Sequence, residues 1–503
     1  MGNPLKAAVD HARGQSGASL DSQASLADDT HLIRPTRTLS RISTSDNIVY
    51  KVYKRRFFGL AQLVLLNIVA SWGWISFAPI SDTASQYFNT SESNINWIST
   101  AYLFAFVPAS AVSSYTLHRY GCKASIMVAA GLLLVGSWIK YGATRANSFP
   151  GVMVGQLLLG FAQPFVLASP TSYSNIWFSP QGRTTATAVA SLANPFGAAL
   201  GQLISPFWAD KPSDVPNMVL YVSIISSIAC VPAFFIPSRP PSPPSAGSLP
   251  NENVHGLNTM RKELKILLRS PEFFIIFLAY SIYVGLFNAF SSLINQLLEP
   301  YGFSEDNAGI AGAVLIVVGL VFAAISSPII DKYKFYLAYI KSAVPVIAIS
   351  YLIFIWAPAT RSLAYVFVVC ALLGAASFGL VPVVLEFLVE IHYPLGPELA
   401  STLCWCGGQL LGGIFIVIMD ALKDGDAADP PQNMHRALIF QAVFALIAVP
   451  GVLALGLFGR HANVRRRRWE ADQISDGGVS QIVESVEERE QDVPVGGEPS
   501  RRS

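Results

Sequence analysis

Apolar residues gather in this chain into blocks of about twenty, each long enough for a helix to cross a hydrocarbon layer. Six blocks fall at roughly 57–80, 95–117, 124–144, 151–170, 184–208 and 217–237, and six more at roughly 272–296, 308–330, 337–357, 362–385, 399–421 and 437–459. The polar stretch between the sets opens on the Pro/Ser run Pro237 to Ser248. It ends in Arg261, Lys262, Lys265 and Arg269, which lipid excludes. The pattern predicts an all-α polytopic membrane protein with twelve transmembrane helices in two bundles of six. Its parts are an N-terminal tail (1–55), a first bundle (56–237), a central loop (238–271), a second bundle (272–459) and a C-terminal tail (460–503). Both tails are polar, without apolar periodicity, and read as disordered. The first lacks an apolar signal region, and Lys6 stands where a myristoylation pattern wants Ser or Thr.

Composition sharpens this picture. Of 503 residues 52% are hydrophobic and 13% charged, about half the charge of a soluble chain, and mean hydropathy is +0.44. A net charge of +2 leaves no basic face for nucleic acid. Five scattered cysteines make no disulfide framework, and Cys404 and Cys406 read as ordinary buried thiols. HExxH, GxxxxGK[ST] and GxSxG motifs are missing, so neither an enzyme nor an ATP-driven pump is expected, nor any metal or cofactor.

Lysine and arginine set the orientation, because short basic loops stay cytoplasmic. Lys51, Lys54, Arg55, Arg56, Arg119, Lys123, Arg183, the central loop, Lys332, Lys334, Arg460 and Arg465 to Arg468 flank one side. Arg145, Lys211, Arg361, Lys423 and Arg436 flank the other. Both tails and the central loop are therefore expected in the cytoplasm, the plasma membrane being the natural location. The sequon Asn89-Thr90-Ser91 agrees, since glycosylation reaches only the opposite face. Arg465 to Arg468 read as a positive-inside anchor.

Ionisable groups inside lipid mark function by default, and the helix interiors hold almost none. Lys140, near a helix end, is expected to snorkel to the interface, and Glu386 and Glu390 sit near the end of the tenth block. What the interiors do hold is amides and rings: Trp72, Trp74, Tyr102, Gln163, Asn194, Gln202, Asn288, Asn295, Gln296, Trp405 and Gln409. Many of these amides are expected to join helix to helix. Gln163 and Gln409 each lie about a dozen residues into a helix, at the depth where a rocking carrier holds cargo. Trp74 offers a π face for an organic cation, whereas Trp72 reads as an interface anchor. Gly197 and Gly201, with Gly408 and Gly412 in the matching helix, form two faces of close helix approach. Pro79, Pro108, Pro164, Pro195 and Pro382 are points of bending.

The halves repeat each other. HRYGCK (His118 to Lys123) follows the second block and DKYK (Asp331 to Lys334) the eighth, as in the major facilitator fold of two pseudo-symmetric six-helix bundles, although His118 stands where an acid is usual. Longer strings carry a closer likeness: NWISTAYLFAFVP (Asn96 to Pro108), SWIK (Ser137 to Lys140), GQLLLGFAQPFVLASP (Gly155 to Pro170), WFSP (Trp177 to Pro180) and LANPFGAALG (Leu192 to Gly201). The second half adds SSLINQ (Ser291 to Gln296), NAG (Asn307 to Gly309) and LEFLVEIHYP (Leu385 to Pro394). Together they resemble the feline leukaemia virus subgroup C receptor-related branch of the major facilitator superfamily, associated with choline and ethanolamine transport and proposed haem export. The resemblance implies that Trp74 is a cage tryptophan and that Gln163 and Gln409 are pocket glutamines. It departs at Asn288, after Phe287, where choline-moving members place a tyrosine.

The expectation is a carrier of a small organic solute, with choline and ethanolamine as candidates, working by alternating access as a monomer in the bilayer and without a coupled ion. Its candidate cargo residues are Trp74, Tyr102, Gln163, Asn194, Phe287, Asn288 and Gln409. Two alternatives are an exporter of drug-like compounds, secondary metabolites or haem, and a receptor that binds without transport. The tails offer no folded signalling domain for the latter.

Overall fold

The computed structural model describes residues 51–244, 257–333, 335–392 and 397–456. The expected tails up to residue 50 and beyond residue 456, including Arg465 to Arg468, lie outside the described residues, as do the side chains of His118, Arg183 and Asp331 and all of Lys334. Among the described residues all regular structure is helical. Helix α1 (Arg56–Ile75) passes through a 3₁₀ turn at Ala78–Ile80 into α2 (Ser81–Phe88). Pro79 explains the break, because its ring has no N–H and collides with the preceding turn. Residues 81–88, which hydropathy leaves outside the first block, thus continue it as helix. Helix α3 (Glu92–Arg145) is broken at Gly121, whose φ of 82° and ψ of 177° suit only glycine, and so forms two arms, one on either side of that residue.

Helices α4 (Phe149–Trp177), α5 (Pro180–Trp208) and α6 (Val215–Cys230) complete the first half. The central stretch, expected as loop, contains α7 (Leu257–Arg269), with Leu267 buried and Lys262, Lys265 and Arg269 exposed. The second half comprises α8 (Pro271–Leu298), α9 (Glu305–Tyr333), α10 (Tyr336–Phe354), α11 (Leu363–His392), α12 (Pro397–Ala421) and α13 (His435–Ala454). Eleven segments among the described residues are long and apolar enough to cross a membrane. The twelfth expected span is α5, 29 residues long but diluted by Thr, Asn, Gly and Pro.

Close glycine contacts repeat between the halves. A Cβ on Gly197 of α5 would lie 2.1 Å from the Ile68 carbonyl oxygen of α1, and one on Gly201 2.4 Å from Ile75. In the second half a Cβ on Gly408 of α12 would lie 2.5 Å from Val284 of α8, and one on Gly412 2.9 Å from Asn288. The two small-residue faces therefore do the same job in each bundle. Between the halves, Gly309 and Gly312 of α9 close on Gln202 of α5, and Gly413 of α12 closes on Phe104 of α3.

Two sequence expectations fail here. Trp72 is no interface anchor: it is buried and stacks on Trp208 with ring centroids 5.7 Å apart. Lys140 does not snorkel, for it is 3% exposed and turned inward onto α1. Both errors arise because burial is decided by the neighbouring helix and not by depth along one's own.

Candidate functional site

The candidate residues lie on α1, α3, α4 and α5 of the first bundle and on α8 and α12 of the second. Trp74 stands one residue from the end of α1, and its ring lies against Tyr102 of α3, centroids 6.1 Å apart and planes 21° from parallel. Tyr102 donates its hydroxyl hydrogen to the Ala70 carbonyl at 3.2 Å, which fixes the ring behind Trp74. The indole N–H of Trp74 is buried and has no protein acceptor. Buried donors are normally satisfied, and the indole N–H of Trp72 is in the same state.

Gln163 of α4 and Asn194 of α5 exchange hydrogen bonds, Nε2 to Oδ1 at 3.2 Å and Nδ2 to Oε1 at 3.4 Å, and Asn194 Nδ2 also reaches the Asn67 carbonyl at 3.3 Å. In the second half Asn288 of α8 donates to Gln409 Oε1 of α12 at 3.2 Å. The amides thus join neighbouring helices, as expected of amides in lipid. Gln163 and Gln409 are not bonded to each other; each is matched with the asparagine of its own half. Close packing connects the two pairs. A Cβ on Gly160, one turn before Gln163, would lie 2.6 Å from the Tyr102 carbonyl, and a Cβ on Gly412 would touch both Asn288 and Leu103. Tyr102 and its neighbour Leu103 therefore stand between the two amide pairs. Phe287 turns its ring edge-on to Phe378, centroids 5.1 Å apart, within the second half.

A second constellation lies at the end of the bundle away from Arg56 and Ala454, the far end, where the halves are pinned together. Thr83 donates to Glu305 twice, from its backbone N–H to Oε1 at 3.1 Å and from its hydroxyl to Oε2 at 2.8 Å. Asn96 and Gln296 form a reciprocal amide pair at 3.2 and 2.8 Å, and Asn96 Nδ2 also donates to Asp420 at 2.7 Å. Asn295 donates to Ser81 at 3.1 Å, and Lys423 pairs with Glu92. One carboxylate oxygen from each of Asp82, Glu92 and Glu299 gathers within 4.8 Å. Closer to the middle, Gln202 donates to the Ser291 carbonyl at 2.7 Å; past it, Ser110 and Cys406 approach to 3.0 Å. The sequence reading named Asn295, Gln296 and Gln202 but missed this seal. Acidic and hydroxyl side chains at helix ends look like ordinary solvated caps until the partner half is in place.

The family profile described as Major Facilitator Superfamily matches residues 63–403. The chain belongs to that superfamily. It is a multi-pass membrane transporter, not an enzyme. Solute carrier family 49 member A3 of Xenopus tropicalis is 29% identical over 82% of this chain and 88% of its own length. Choline/ethanolamine transporter FLVCR1 of Felis catus is 28% identical over 73% of this chain and 68% of its own, and Choline/ethanolamine transporter FLVCR2 of Homo sapiens 25% over 86% and 82%. The resemblance to the receptor-related branch read from the sequence is thereby borne out. Among solved structures, the D-xylose-proton symporter superposes with a TM-score of 0.63 at 16% identity, covering 81% of this transporter and 99% of that chain. An inward-facing bacterial homolog of the human lysosomal transporter Spinster gives 0.59 at 14%, covering 80% and 97%. At those identities the likeness establishes the fold alone.

Proposed function

We propose that this transporter carries a small amino alcohol of the choline and ethanolamine class by alternating access, without a coupled ion. The reading rests on Trp74, whose ring is buried and backed by Tyr102 while its N–H lacks a protein acceptor. A π face attracts an ammonium group and an indole N–H donates to a hydroxyl oxygen, so one side chain addresses both ends of the cargo. We take Trp74, Tyr102 and the amides of Gln163, Asn194, Asn288 and Gln409 together as the cargo layer. Among the described residues the carboxylates of the spans stand at helix ends, which leaves this layer without a proton carrier and favours facilitated diffusion. The relatives named for choline and ethanolamine support the class.

Within that class the second half favours a primary ammonium. Phe287 packs on Phe378 and Asn288 on Gln409, so α8 supplies amide where a second ring would sit. A lost π wall costs a quaternary cation roughly 0.5–2 kcal/mol. A primary ammonium offsets that loss by donating hydrogen bonds to amide oxygens, which the quaternary ammonium of choline cannot do. The basic flanks support a reading with the tails and central loop in the cytoplasm and the far end outside, and we propose the plasma membrane as the location.

Uptake of labelled ethanolamine and choline by the purified protein in liposomes tests this. Ethanolamine enters saturably and faster, and Trp74→Ala removes most uptake of both. Asn288→Tyr shifts selectivity towards choline by about 2- to 30-fold, the range set by one ring face. Absence of saturable uptake of either amine by the wild type overturns the cargo, and strong acceleration by a proton gradient overturns uncoupled transport.

A further inference from the structure

The Lys140 ammonium is buried in the first bundle, and its charge does not belong to the cargo layer. Its Nζ donates to three oxygens, the Gly73 carbonyl at 2.9 Å, Ser76 Oγ at 2.8 Å and Gln156 Oε1 at 2.9 Å, and it lies 4.7 Å from the centre of the Phe77 ring. Three acceptors match the three N–H groups of a charged ammonium, and a π face covers part of the remaining surface. Among the described residues no carboxylate pairs with it. The compensating negative potential comes from the end of α1, whose last carbonyls carry the partial negative charge of the helix dipole.

The grip continues onto Trp74. Gln156, oriented by Lys140, donates from Nε2 to the Gly73 carbonyl at 3.3 Å and the Trp74 carbonyl at 3.2 Å. Ser76 adds a bond from its hydroxyl to the Gly73 carbonyl at 3.2 Å. Helices normally leave their last carbonyls for caps or water, and Pro79 ensures that this one cannot continue. The close approach that makes the grip possible is built in: a Cβ on Gly155 of α4 would lie 2.7 Å from the Lys140 backbone nitrogen.

We infer that Lys140, through Gln156, is the positioning residue that holds the broken end of α1 and thereby aims the Trp74 ring and its N–H into the cargo layer. Lys140 touches the Trp74 backbone framework and not the cargo. The inference rests on the proposed role of Trp74, and its test has one arm that needs no cargo.

The first arm is a double-mutant cycle on ethanolamine binding to the purified transporter. Lys140→Met weakens binding about tenfold in the wild type and less than about twofold in Trp74→Ala, because the two changes remove the same contact. Equal losses in both backgrounds overturn the inference. The second arm is the Trp74 emission spectrum, obtained as the difference between proteins with and without Trp74→Ala. It shifts in Lys140→Met, and an unchanged difference spectrum overturns the inference even if the transporter binds neither amine. Should Lys140→Met fail to fold, Gln156→Leu, which removes the donor to the Trp74 carbonyl and one of three donors to the Gly73 carbonyl while keeping the lysine, is expected to give the same coupling and the same shift.

Discussion

Thr83 offers a clean way to weigh the far-end seal. It stands in the first turn of α2, where backbone N–H groups have no helical acceptor, and the Glu305 carboxylate from the other half takes both its N–H and its hydroxyl hydrogen. Thr83→Val keeps the shape and the backbone bond but deletes the hydroxyl donor at 2.8 Å. With Glu305 ionised the hydrogen bond is worth about 1.5–3 kcal/mol net, so at a pH that ionises it the ratio of far-closed to far-open molecules falls by about 10- to 150-fold. A population that is almost wholly far-closed then contains a measurable far-open fraction. Spin labels on Lys211→Cys and Ala427→Cys, exposed sites at the far end of either half, report that fraction as a longer distance in pulsed electron resonance. Thr83→Ser, which keeps the hydroxyl, retains the wild-type distribution. If valine and serine give the same distances as threonine, the Thr83–Glu305 contact does not hold the halves together and the assignment of the seal is wrong.

Two further outcomes follow from packing and charge. Lys423 is the cation that pairs with Glu92 beside Asp82 and Glu299, so Lys423→Ala leaves the three carboxylates facing one another and raises the far-open fraction; adding Glu299→Gln reverses much of that rise in the same distance measurement. Gly197→Ala places a methyl group 2.1 Å from the Ile68 carbonyl and lowers the thermal unfolding midpoint, an overpacking cost of about 1–3 kcal/mol, whereas Gly131→Ala, with nothing within 4 Å, leaves the midpoint unchanged or raises it.

The helices were legible because lipid imposes a length and a polarity that a single strand of sequence displays by itself. The matched glycine faces were legible for a related reason, since close approach leaves its mark in residue size. The amides Gln163, Asn194, Asn288 and Gln409 stood out as polar groups in apolar runs, yet their pairing within each half did not, because partner choice is a property of two helices at once. Lys140 shows the limit most sharply. Its place near a helix end suggests snorkelling, but its three acceptors sit on α1 and α4, and only their arrangement turns the charge inward. Residues 81–88 read as a polar loop for the same reason. Their helix is stabilised by Phe77, Phe88 and Phe149 packing together and by Glu305 capping from the opposite half.

Two of the proposed cargo residues share their elements with one contact of the seal, Asn295 with Ser81. On one side of its break the α1–α2 segment bears Trp74, and on the other Ser81, Asp82 and Thr83; α8 bears Asn288 and, about 10 Å further along at seven residues, Asn295. A cargo that engages Trp74 and Asn288 would therefore pull on both partners of that contact through short lengths of chain. A ligand shifts such an equilibrium only by the difference in its affinity for the two states, and a molecule the size of an amino alcohol supplies a few kcal/mol at most. The seal must then be weak in net terms, although it contains several hydrogen bonds to carboxylates. The crowding of Asp82, Glu92 and Glu299 around a single lysine provides that weakness, because their mutual repulsion offsets the bonds that close the far end. Strengthening the seal by neutralising Glu299 alone should thus slow transport rather than improve it, since the cargo could no longer supply the energy needed to open it.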